Sequence, residues 1–336
     1  LRLRDYIVVL LIPILAITFG FLTAIAVGLF AAVIQFVLAY AKLDAIHLKS
    51  TLVNSRSYVE RADNEEQVLE SYGNQVVVIE LSGYLFFGTA NALCERIQLE
   101  IEIEMIANSI KWVVLDFHRV NGIDISALHS LQRLSSNCMS QDVQPVFTGL
   151  QSIDGGLFGT SSDKNKTMVF ETLDSGLEFI EDVLLHRHAE DIDEAENFLN
   201  QLHKLYPDVD LAKQMEKIIL AEDDVLINIG APSNEMYLLM SGQLRVDIVN
   251  SNGSDFPIAK IRKGALIGEI AHYTGKTRSA RIIAQTESEV LKIDAFQLDQ
   301  LNISHPRFVG DFHKLVARHL ARRLLRVTSQ LQNIGL

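Results

Sequence analysis

The sequence predicts a multidomain chain: a transmembrane helical hairpin, then an α/β sandwich, then a β-roll with a C-terminal helix. Three observations lead to this prediction. Residues 6–41 contain no charged side chain, residues 75–186 alternate strand-like and helical runs, and residues 217–261 consist of short strand-like runs separated by glycine. A chain of 336 residues is also too long for one average core, so two or three domains are expected.

Composition narrows the classes of function. The net charge is −12, and the acidic residues concentrate in the middle of the chain, which argues against nucleic acid as a partner. The net-positive ends, residues 1–50 and 305–336, instead favour a nearby membrane surface. Cys94 and Cys138 have no partner spacing, so neither a disulfide nor a metal site is predicted. Because the first residue is Leu, we expect a fragment of a longer protein.

Residues 1–42 are predicted to be membrane-embedded. As one straight helix, the 36 uncharged residues would be about 54 Å long, against a hydrocarbon thickness of about 30 Å. Two short crossings that turn near Gly20 to Thr23 would place both basic flanks on the cytoplasmic side. Small residues such as Ala24 and Gly28 suit close packing against further transmembrane helices of the same protein, as in a multi-pass cell-membrane protein.

The region 43–188 is predicted to be a linker followed by an α/β domain. Residues 43–72 are a polar connector with a candidate first strand at 57–60, and residues 151–166 are a polar loop. Alternating strands and helices predict a sheet covered by helices. The predicted strands are 75–81, 112–117, 143–150 and 168–170; the predicted helices are 91–105, 125–137 (capped by Asp124) and 173–186.

Residues 81–90 read LSGYLFFGTA, residues 113–117 read VVLDF, and residues 122–127 read GIDISA. This combination resembles the STAS domain that ends the SulP-family anion transporters. Residues 23–28, TAIAVG, are similar to the start of the final transmembrane helix that precedes this domain in the family. The resemblance covers about residues 5–187 and implies the C-terminal portion of a sulfate permease-like anion transporter.

Two polar groups in this region have alternative interpretations. Ser126 matches the position phosphorylated in the related bacterial anti-sigma-factor antagonists, so the resemblance implies a candidate phosphosite; the simpler alternative, which we favour, is that Asp124 and Ser126 cap the helix. His186, His188, Glu190 and Asp191 could be drawn as a metal cluster. A polar helix end that runs into an acidic linker explains them better, and no metal is predicted.

Residues 189–210 are predicted to be an acidic helical linker, and residues 211–336 a small domain. Short strands at close spacing predict a β-roll. The strand-like runs lie at 217–220, 225–229, 236–240, 243–249 and 258–261.

Within this domain, residues 264–280 have an order suited to a small anionic ligand. Gly268 lets the backbone approach a ligand closely, and a helical turn from Glu269 would point free N–H groups at a phosphate. Arg278 supplies a donor fork, while Ser279 and Ala280 are small enough to offer their own N–H groups. A carboxylate at Glu269 needs neutral hydroxyl donors, such as a ribose 2′-OH.

The runs IGEIA, residues 267–271, and TRSAR, residues 277–281, resemble the phosphate-binding cassette of cyclic nucleotide-binding domains, at the same spacing as the family pattern FGELA then PRAAT. The resemblance spans about residues 205–330. Thr277 replaces a proline and Arg281 a small residue, so the alternative is a cassette that kept its fold and lost its ligand. The resemblance implies cAMP or cGMP as a regulatory ligand, bound by Gly268, Glu269, Ile270, Arg278, Ser279 and Ala280.

The tail, residues 306–334, is amphipathic, with an apolar stripe at alternating steps of four and three: Leu320, Leu324, Val327, Leu331 and Ile334. The favoured interpretation is a helix that packs this stripe on the β-roll. Formation of a homodimer and contact with anionic lipid are the alternatives.

Enzyme signatures are missing from the sequence: it has no Gly-x-Ser-x-Gly elbow, no Walker loop and no His-Glu-x-x-His. We therefore predict no enzyme activity. The prediction is the C-terminal regulatory part of a SulP-like inorganic anion transporter, with a cytosolic STAS domain and cyclic nucleotide sensing. The alternative is a membrane-anchored signalling scaffold that does not transport.

Overall fold

A computed structural model describes residues 13, 16–18, 20–40, 45–150, 167–191, 198–209, 214–232, 234–249 and 255–333. Three predicted features lie wholly or mainly outside these residues. They are the first membrane crossing, the loop 151–166 and the middle of the acidic linker, residues 192–197.

The first described element is the helix α1, Phe21–Tyr40, which follows Gly20 at a φ of +92°. The helix therefore starts inside the turn predicted near Gly20 to Thr23. Among the residues that the structure describes, no helix meets the combined requirements of length and apolar character for crossing a bilayer. The transmembrane hairpin stays a prediction.

Among the described residues, the α/β domain is built on a sheet of five strands with the order β1-β3-β4-β5-β6. β1 runs antiparallel to β3, and the other neighbours are parallel. The edge strand β1 was not predicted, because its sequence IHLKST is mostly polar and carries little strand signal. The strands are β1 Ile46–Thr51, β3 Val76–Leu85, β4 Trp112–Ile123, β5 Gln144–Thr148 and β6 Met168–Phe170.

Helices cover both faces of this sheet. Alternate residues of β3 point to opposite faces: Val77 and Ile79 belong to one buried cluster and Val76 and Val78 to the other. The α/β sandwich predicted from the sequence is confirmed. On the first face lie α3 Phe87–Asn108 and α4 Ile125–Ser140, and on the second lie α2 Asp63–Tyr72 and α5 Leu173–Arg187.

In the part of the chain that the structure describes, the second domain is a β-roll of two sheets, ordered β2-β11-β10-β13-β8 and β12-β9-β14-β7, where β2 is Val59–Glu60. Its interior is lined by the inward faces of both sheets, with Leu239, Leu244 and Val290 fully buried. The predicted β-roll is confirmed. Its elements are α6 Phe198–Leu205, β7 Glu216–Leu220, β8 Val225–Ile227, β9 Glu235–Ser241, β10 Gln243–Val249, β11 Asp255–Arg262, β12 Leu266–Ile267, α7 Glu269–Thr274, β13 Arg281–Ala284, β14 Ser288–Asp294, α8 Ala295–Ser304 and α9 Pro306–Asn333.

One short strand connects the two domains. The candidate strand at 57–60 is present as β2, Val59–Glu60, but it pairs in parallel with β11 of the β-roll and not with the sheet of the α/β domain. The Lys260 N–H donates to the Tyr58 carbonyl at 3.1 Å. Without β2, the outer side of β11 would be an open sheet edge, so this pairing satisfies backbone groups there. The first domain therefore contributes a strand to the second.

The C-terminal helix α9 packs on the β-roll through its first half. Phe308, Phe312 and Val316 are each buried in the cluster formed with β9 and β14. Leu320 contacts that cluster, whereas Leu324 is 68% exposed. Helix α9 thus packs on the β-roll mainly through residues that precede the predicted stripe, and the predicted packing of Leu324 was wrong because that side chain is exposed.

Candidate functional site

The candidate site lies at the start of α7, the six-residue helix that follows Gly268. Gly268 has a φ of +83°, a left-handed conformation that glycine adopts without strain. A Cβ atom built there would lie 2.4 Å from Nη1 of Arg278. The glycine is required because the arginine occupies the space that any side chain would take.

Arg278 is buried, with 4% of its surface exposed. Its Nη1 donates to the Gly268 carbonyl at 2.8 Å, and its Nη2 donates to the Glu235 carbonyl at 2.5 Å and lies 3.4 Å from the Glu235 carboxylate. Its backbone N–H donates to the Ala231 carbonyl, and its own carbonyl accepts from the N–H of Gly230. Since a guanidinium has five N–H donors, the group retains donor capacity for an anion.

Glu269, the first residue of α7, is 2% exposed. Burial raises the pKa of its carboxyl group, and the nearby Arg323 of α9 partly opposes that rise. Nη1 of Arg323 lies 3.4 Å from Oε1 of Glu269, while its Nη2 lies 2.5 Å from Oε1 of Glu60 on β2. The carboxyl group predicted to accept from a sugar hydroxyl is therefore covered by a cation from the C-terminal helix.

A second contact joins α7 to α9. The Tyr273 hydroxyl lies 2.5 Å from Nδ1 of His313. Burial and the charge of Glu269 raise the pKa of Tyr273 to about 12, and burial lowers the pKa of His313. The hydroxyl is therefore the donor and a neutral imidazole the acceptor at neutral pH.

The other residues predicted to bind the ligand have varied environments. Ile270 is 46% exposed, Ser279 is exposed, and Ala280 is half-buried against the interior of the roll. The structure thus brings Gly268, Glu269 and Arg278 together at one end of α7. It holds Ser279 and Ala280 on the segment that leads from Arg278 into β13.

The candidate phosphosite Ser126 lies on the α/β domain, exposed in the first turn of α4. Asp124 caps this helix, since its Oδ1 accepts from the Ala127 N–H at 2.7 Å. This cap was predicted from the sequence and is confirmed. Ser126 contributes its backbone carbonyl, which accepts from the Ser130 hydroxyl at 3.1 Å.

Of the two histidines considered as metal ligands, His188 has other partners. His188 stacks on Tyr72 with ring centroids 3.5 Å apart, and its Nδ1 lies 3.2 Å from the Asp191 carboxylate. Within the described ranges, no group of three or more metal-ligating side chains is gathered. Cys94 and Cys138 are free thiols, and burial raises their pKa values to about 11 and about 12. Both thiols are therefore protonated at neutral pH and poor nucleophiles.

Three residues that surround the site were not found from the sequence: Glu235, which contacts Arg278, Arg323, which contacts Glu269, and Glu60, which contacts Arg323. Arg323 is 54 residues from Glu269 along the chain, and Glu60 lies in the other domain. The only signal was the pair of arginines at 322–323 beside the apolar stripe of α9. Helical periodicity places such a residue at the border of the buried face, but it does not identify the carboxylates it will contact.

Two family models match the chain. The model described as "Cyclic nucleotide-binding domain" matches residues 217–305, and the model described as "STAS domain" matches residues 67–173. The chain therefore contains a STAS domain followed by a cyclic nucleotide-binding domain. Gly268, Glu269 and Arg278 fall within the second match, and Ser126 falls within the first.

Curated relatives are similar over parts of their length. Glutaminase 2 of Bradyrhizobium diazoefficiens is 24% identical over 280 residues, which cover 81% of this chain and 43% of that protein. The vacuolar basic amino acid transporter VSB1 of Saccharomyces cerevisiae is 26% identical over 193 residues, which cover 55% of this chain and 19% of that protein. The chain thus spans less than half the length of these two relatives.

A solved structure, the catabolite activator protein of Thermus thermophilus, is 26% identical over 40% of this chain and 62% of its own, with a TM-score of 0.35. A cyclic nucleotide-binding domain from Methylobacillus flagellatus is 24% identical over 40% of this chain and 68% of its own, with a TM-score of 0.31.

Proposed function

We propose that these residues form the C-terminal regulatory part of a SulP-like inorganic anion transporter of the sulfate type. In this proposal the protein is a multi-pass cell-membrane protein with the STAS and nucleotide-binding domains in the cytoplasm, and a cyclic nucleotide is its regulatory ligand. The observation that carries the nucleotide site is the buried guanidinium of Arg278, held beside Gly268 at the start of α7 within the matched nucleotide-binding domain. The transporter part is supported by the STAS match and by the similarity to the vacuolar transporter.

The chemistry of the site suits a cyclic phosphate joined to a ribose. Arg278 offers charge-assisted donors to phosphate oxygens, and backbone N–H groups at the start of α7 add neutral donors. The buried carboxyl group of Glu269 offers an acceptor to a sugar hydroxyl. A single ligand that carries both an anion and a neutral hydroxyl would satisfy both side chains.

The printed activities of the relatives favour a regulatory role for this chain over an enzymatic one. The match to the glutaminase is long enough to include the whole STAS match and most of the nucleotide-binding match. More than half of that relative lies outside the alignment, and the vacuolar transporter, a protein with a different printed activity, also matches over half of this chain. A shared segment in proteins of different activity favours a regulatory module without catalysis of its own.

The test of the nucleotide site is calorimetry on the full 336-residue chain in detergent, with cAMP and cGMP titrated separately. At least one nucleotide should bind. Arg278→Ala should weaken binding about 30-fold or more, because truncating one partner of a buried charged contact costs about 2 kcal/mol or more. Arg318→Ala, on the exposed side of α9, is the control for loss of one arginine.

An absence of heat for both nucleotides with folded, unmutated protein contradicts the nucleotide site. Unchanged affinity in Arg278→Ala contradicts the assigned role of the arginine. Transport is tested separately by reading the gene upstream of Leu1: ten or more further apolar spans favour the transporter, and a start codon nearby favours the alternative, a membrane-anchored signalling scaffold.

A further inference from the structure

Ion pairs, some of them buried, link the start of α7 to β2 and, through the neighbouring Arg61, β2 to the helix α5 of the STAS domain. We call this set the interdomain network. Its members are four carboxylates and three arginines, and they come from five elements or their flanks. They are Glu269, Arg323, Glu60, Arg61, Glu181, Asp182 and Arg262.

Arg323 is the member that contacts the nucleotide site. It lies between two carboxyl groups with little exposure, 3.4 Å from Glu269 and 2.5 Å from Glu60. The side chains of Glu269 and Glu60 are 3% and 11% exposed, whereas that of Arg323 is 31% exposed. Arg323 is therefore on the solvent side of both carboxyl groups.

The next members fix β2 to the STAS domain. Arg61, adjacent to Glu60, places Nε 2.9 Å from Glu181 and Nη2 2.9 Å from Asp182, both on α5. Glu181 also accepts from the backbone N–H and the hydroxyl of Ser57 at 2.9 and 2.6 Å. The segment around β2 is thus held by α5 on one side and by Arg323 on the other.

A second set of ion pairs holds β11 to the same helix, α5. Arg262, at the end of β11, lies 2.8 Å from both Glu178 and Asp182. Because β2 and β11 are paired strands, a shift of β2 against α5 would also move β11 and strain the ion pairs of Arg262 with α5. Of these contacts with α5, the pair of Arg61 and Glu181 is fully buried, and charged groups removed from water act on one another more strongly than they do at the surface.

A ligand can reach the carboxyl group of Glu269 only if a neighbouring side chain moves. The carboxyl group is 2% exposed, so a sugar hydroxyl can donate to it only after a covering group moves. Arg323 is the side chain that pairs with that carboxyl group, and the same guanidinium binds Glu60. A ligand that displaces Arg323 from Glu269 therefore disturbs the contact with Glu60 as well.

We propose that Arg323 is the residue that transmits nucleotide occupancy to the STAS domain. A ribose hydroxyl replaces Arg323 at Glu269, Arg323 withdraws with the second half of α9, and the buried Glu60 loses its cation. β2 then loosens against β11 and α5. This inference rests on the proposed nucleotide site, because it assigns the route by which that site acts.

The test is hydrogen exchange on the full chain in detergent, with and without saturating cAMP or cGMP. The reporters are the peptide spanning residues 57–62 and the amide of Lys260, which donates to Tyr58. In the unmutated chain, nucleotide should speed exchange of these amides at least about fivefold, the low end of usual coupling between sites. Arg323→Gln should bind nucleotide and show no such acceleration, whereas Arg318→Gln should respond like the unmutated chain.

Glu60→Gln is a second variant, which keeps Arg323 and removes its partner on β2. It too should bind nucleotide without accelerated exchange at residues 57–62, and circular dichroism of both variants establishes that they are folded. Binding without any change at these amides, or an equal response in Arg323→Gln and the unmutated chain, overturns the inference while the nucleotide site stands. Failure of the unmutated chain to bind either nucleotide removes the proposed function and this inference together.

Discussion

At the scale of single residues, the site depends on a glycine that makes room for an arginine. Gly268 and Arg278 contact each other directly, and the Gly268 carbonyl accepts from the guanidinium at 2.8 Å. Glu269 follows Gly268 in the sequence, but its side chain pairs with Arg323 of helix α9. The ends of the site that we propose for the phosphate and for the sugar hydroxyl are therefore held by different parts of the fold.

The role of Gly268 can be tested with Gly268→Ala. The new Cβ atom would lie 2.4 Å from Nη1 of Arg278, and the φ of +83° is strained for alanine. We expect a loss of about 1–2 kcal/mol of stability from the backbone conformation and a further loss of nucleotide affinity, because Arg278 must move. Chemical denaturation and calorimetry measure the two effects.

Gly275→Ala is the matched control, at the other end of the same helix. Its φ is +65°, and nothing lies within 4 Å of the new Cβ atom. It should lose stability through backbone strain but keep its nucleotide affinity. Equal affinities for the two variants would show that crowding of Arg278 has no role.

The pH dependence of stability provides a test at Glu269. Burial raises the pKa of this carboxyl group in the folded state above its ordinary value of 4.5, so the folded chain holds the proton more tightly than the unfolded chain. The resulting stabilisation is present below pH 4.5 and is lost as the pH rises through the folded-state pKa. Glu269→Gln, which stays neutral, should become more stable relative to the unmutated chain as the pH rises from 4 to 8.

Urea unfolding at several pH values measures this difference, with Glu222→Gln on an exposed turn as the control for removal of one acidic group. A difference between Glu269→Gln and the unmutated chain that stays constant across the range would contradict the prediction.

At the scale of elements, β2 is the strand that links the two domains. It is two residues long, yet it pairs with β11 of the roll while Arg61 beside it enters the STAS domain. A strand this short gains little from its own backbone pairing. Its position is therefore fixed by side-chain contacts, above all the buried pair of Arg61 and Glu181.

Arg61→Ala tests that dependence. The side chains of Arg61 and Glu181 are 1% and 2% exposed, so the substitution leaves a buried carboxyl group without its cation. We expect a loss of about 3–5 kcal/mol in the free energy of unfolding. Lys111→Ala, which breaks the exposed pair with Asp142, should cost about 1 kcal/mol or less. Similar losses for the two variants in urea denaturation would contradict the buried role of Arg61.

At the scale of the whole molecule, the two domains share a sheet edge and an ionic interface. β2 extends the β-roll, and α5 receives Arg61 and Arg262 from either side of the boundary between the domains. Contacts of this kind make independent motion of the domains costly. The STAS domain and the nucleotide-binding domain are therefore expected to unfold together.

This expectation can be tested because Trp112 is the only tryptophan and lies in the STAS domain. Its fluorescence should report the same urea midpoint as far-UV circular dichroism, which senses both domains. Arg262→Ala, which removes the contacts with Glu178 and Asp182, should separate the two midpoints. Separate midpoints in the unmutated chain would show that the domains unfold independently.

Much of the fold could be predicted from local pattern. The apolar runs of β3, β4 and β5, the Asp124 cap and the helical turn at Glu269 were each found because their signals lie within a few neighbouring residues. The strand β1 was missed because its short, largely polar run lacks that signal. Gly268, Glu269 and Arg278 were likewise identified by their spacing, and the structure places them at one end of α7.

The sequence by itself predicted the order of the STAS and nucleotide-binding domains, four of the five described strands of the α/β sheet, and the closeness of Gly268, Glu269 and Arg278, because periodicity and short motifs are local properties. Only the tertiary structure decided that β2 joins the roll, that Arg323 covers Glu269, and that Arg61 reaches Glu181, which is 120 residues away. The physical reason is that a buried charge takes its partner from whatever packing brings near it, and separation along the chain contains no information about that partner.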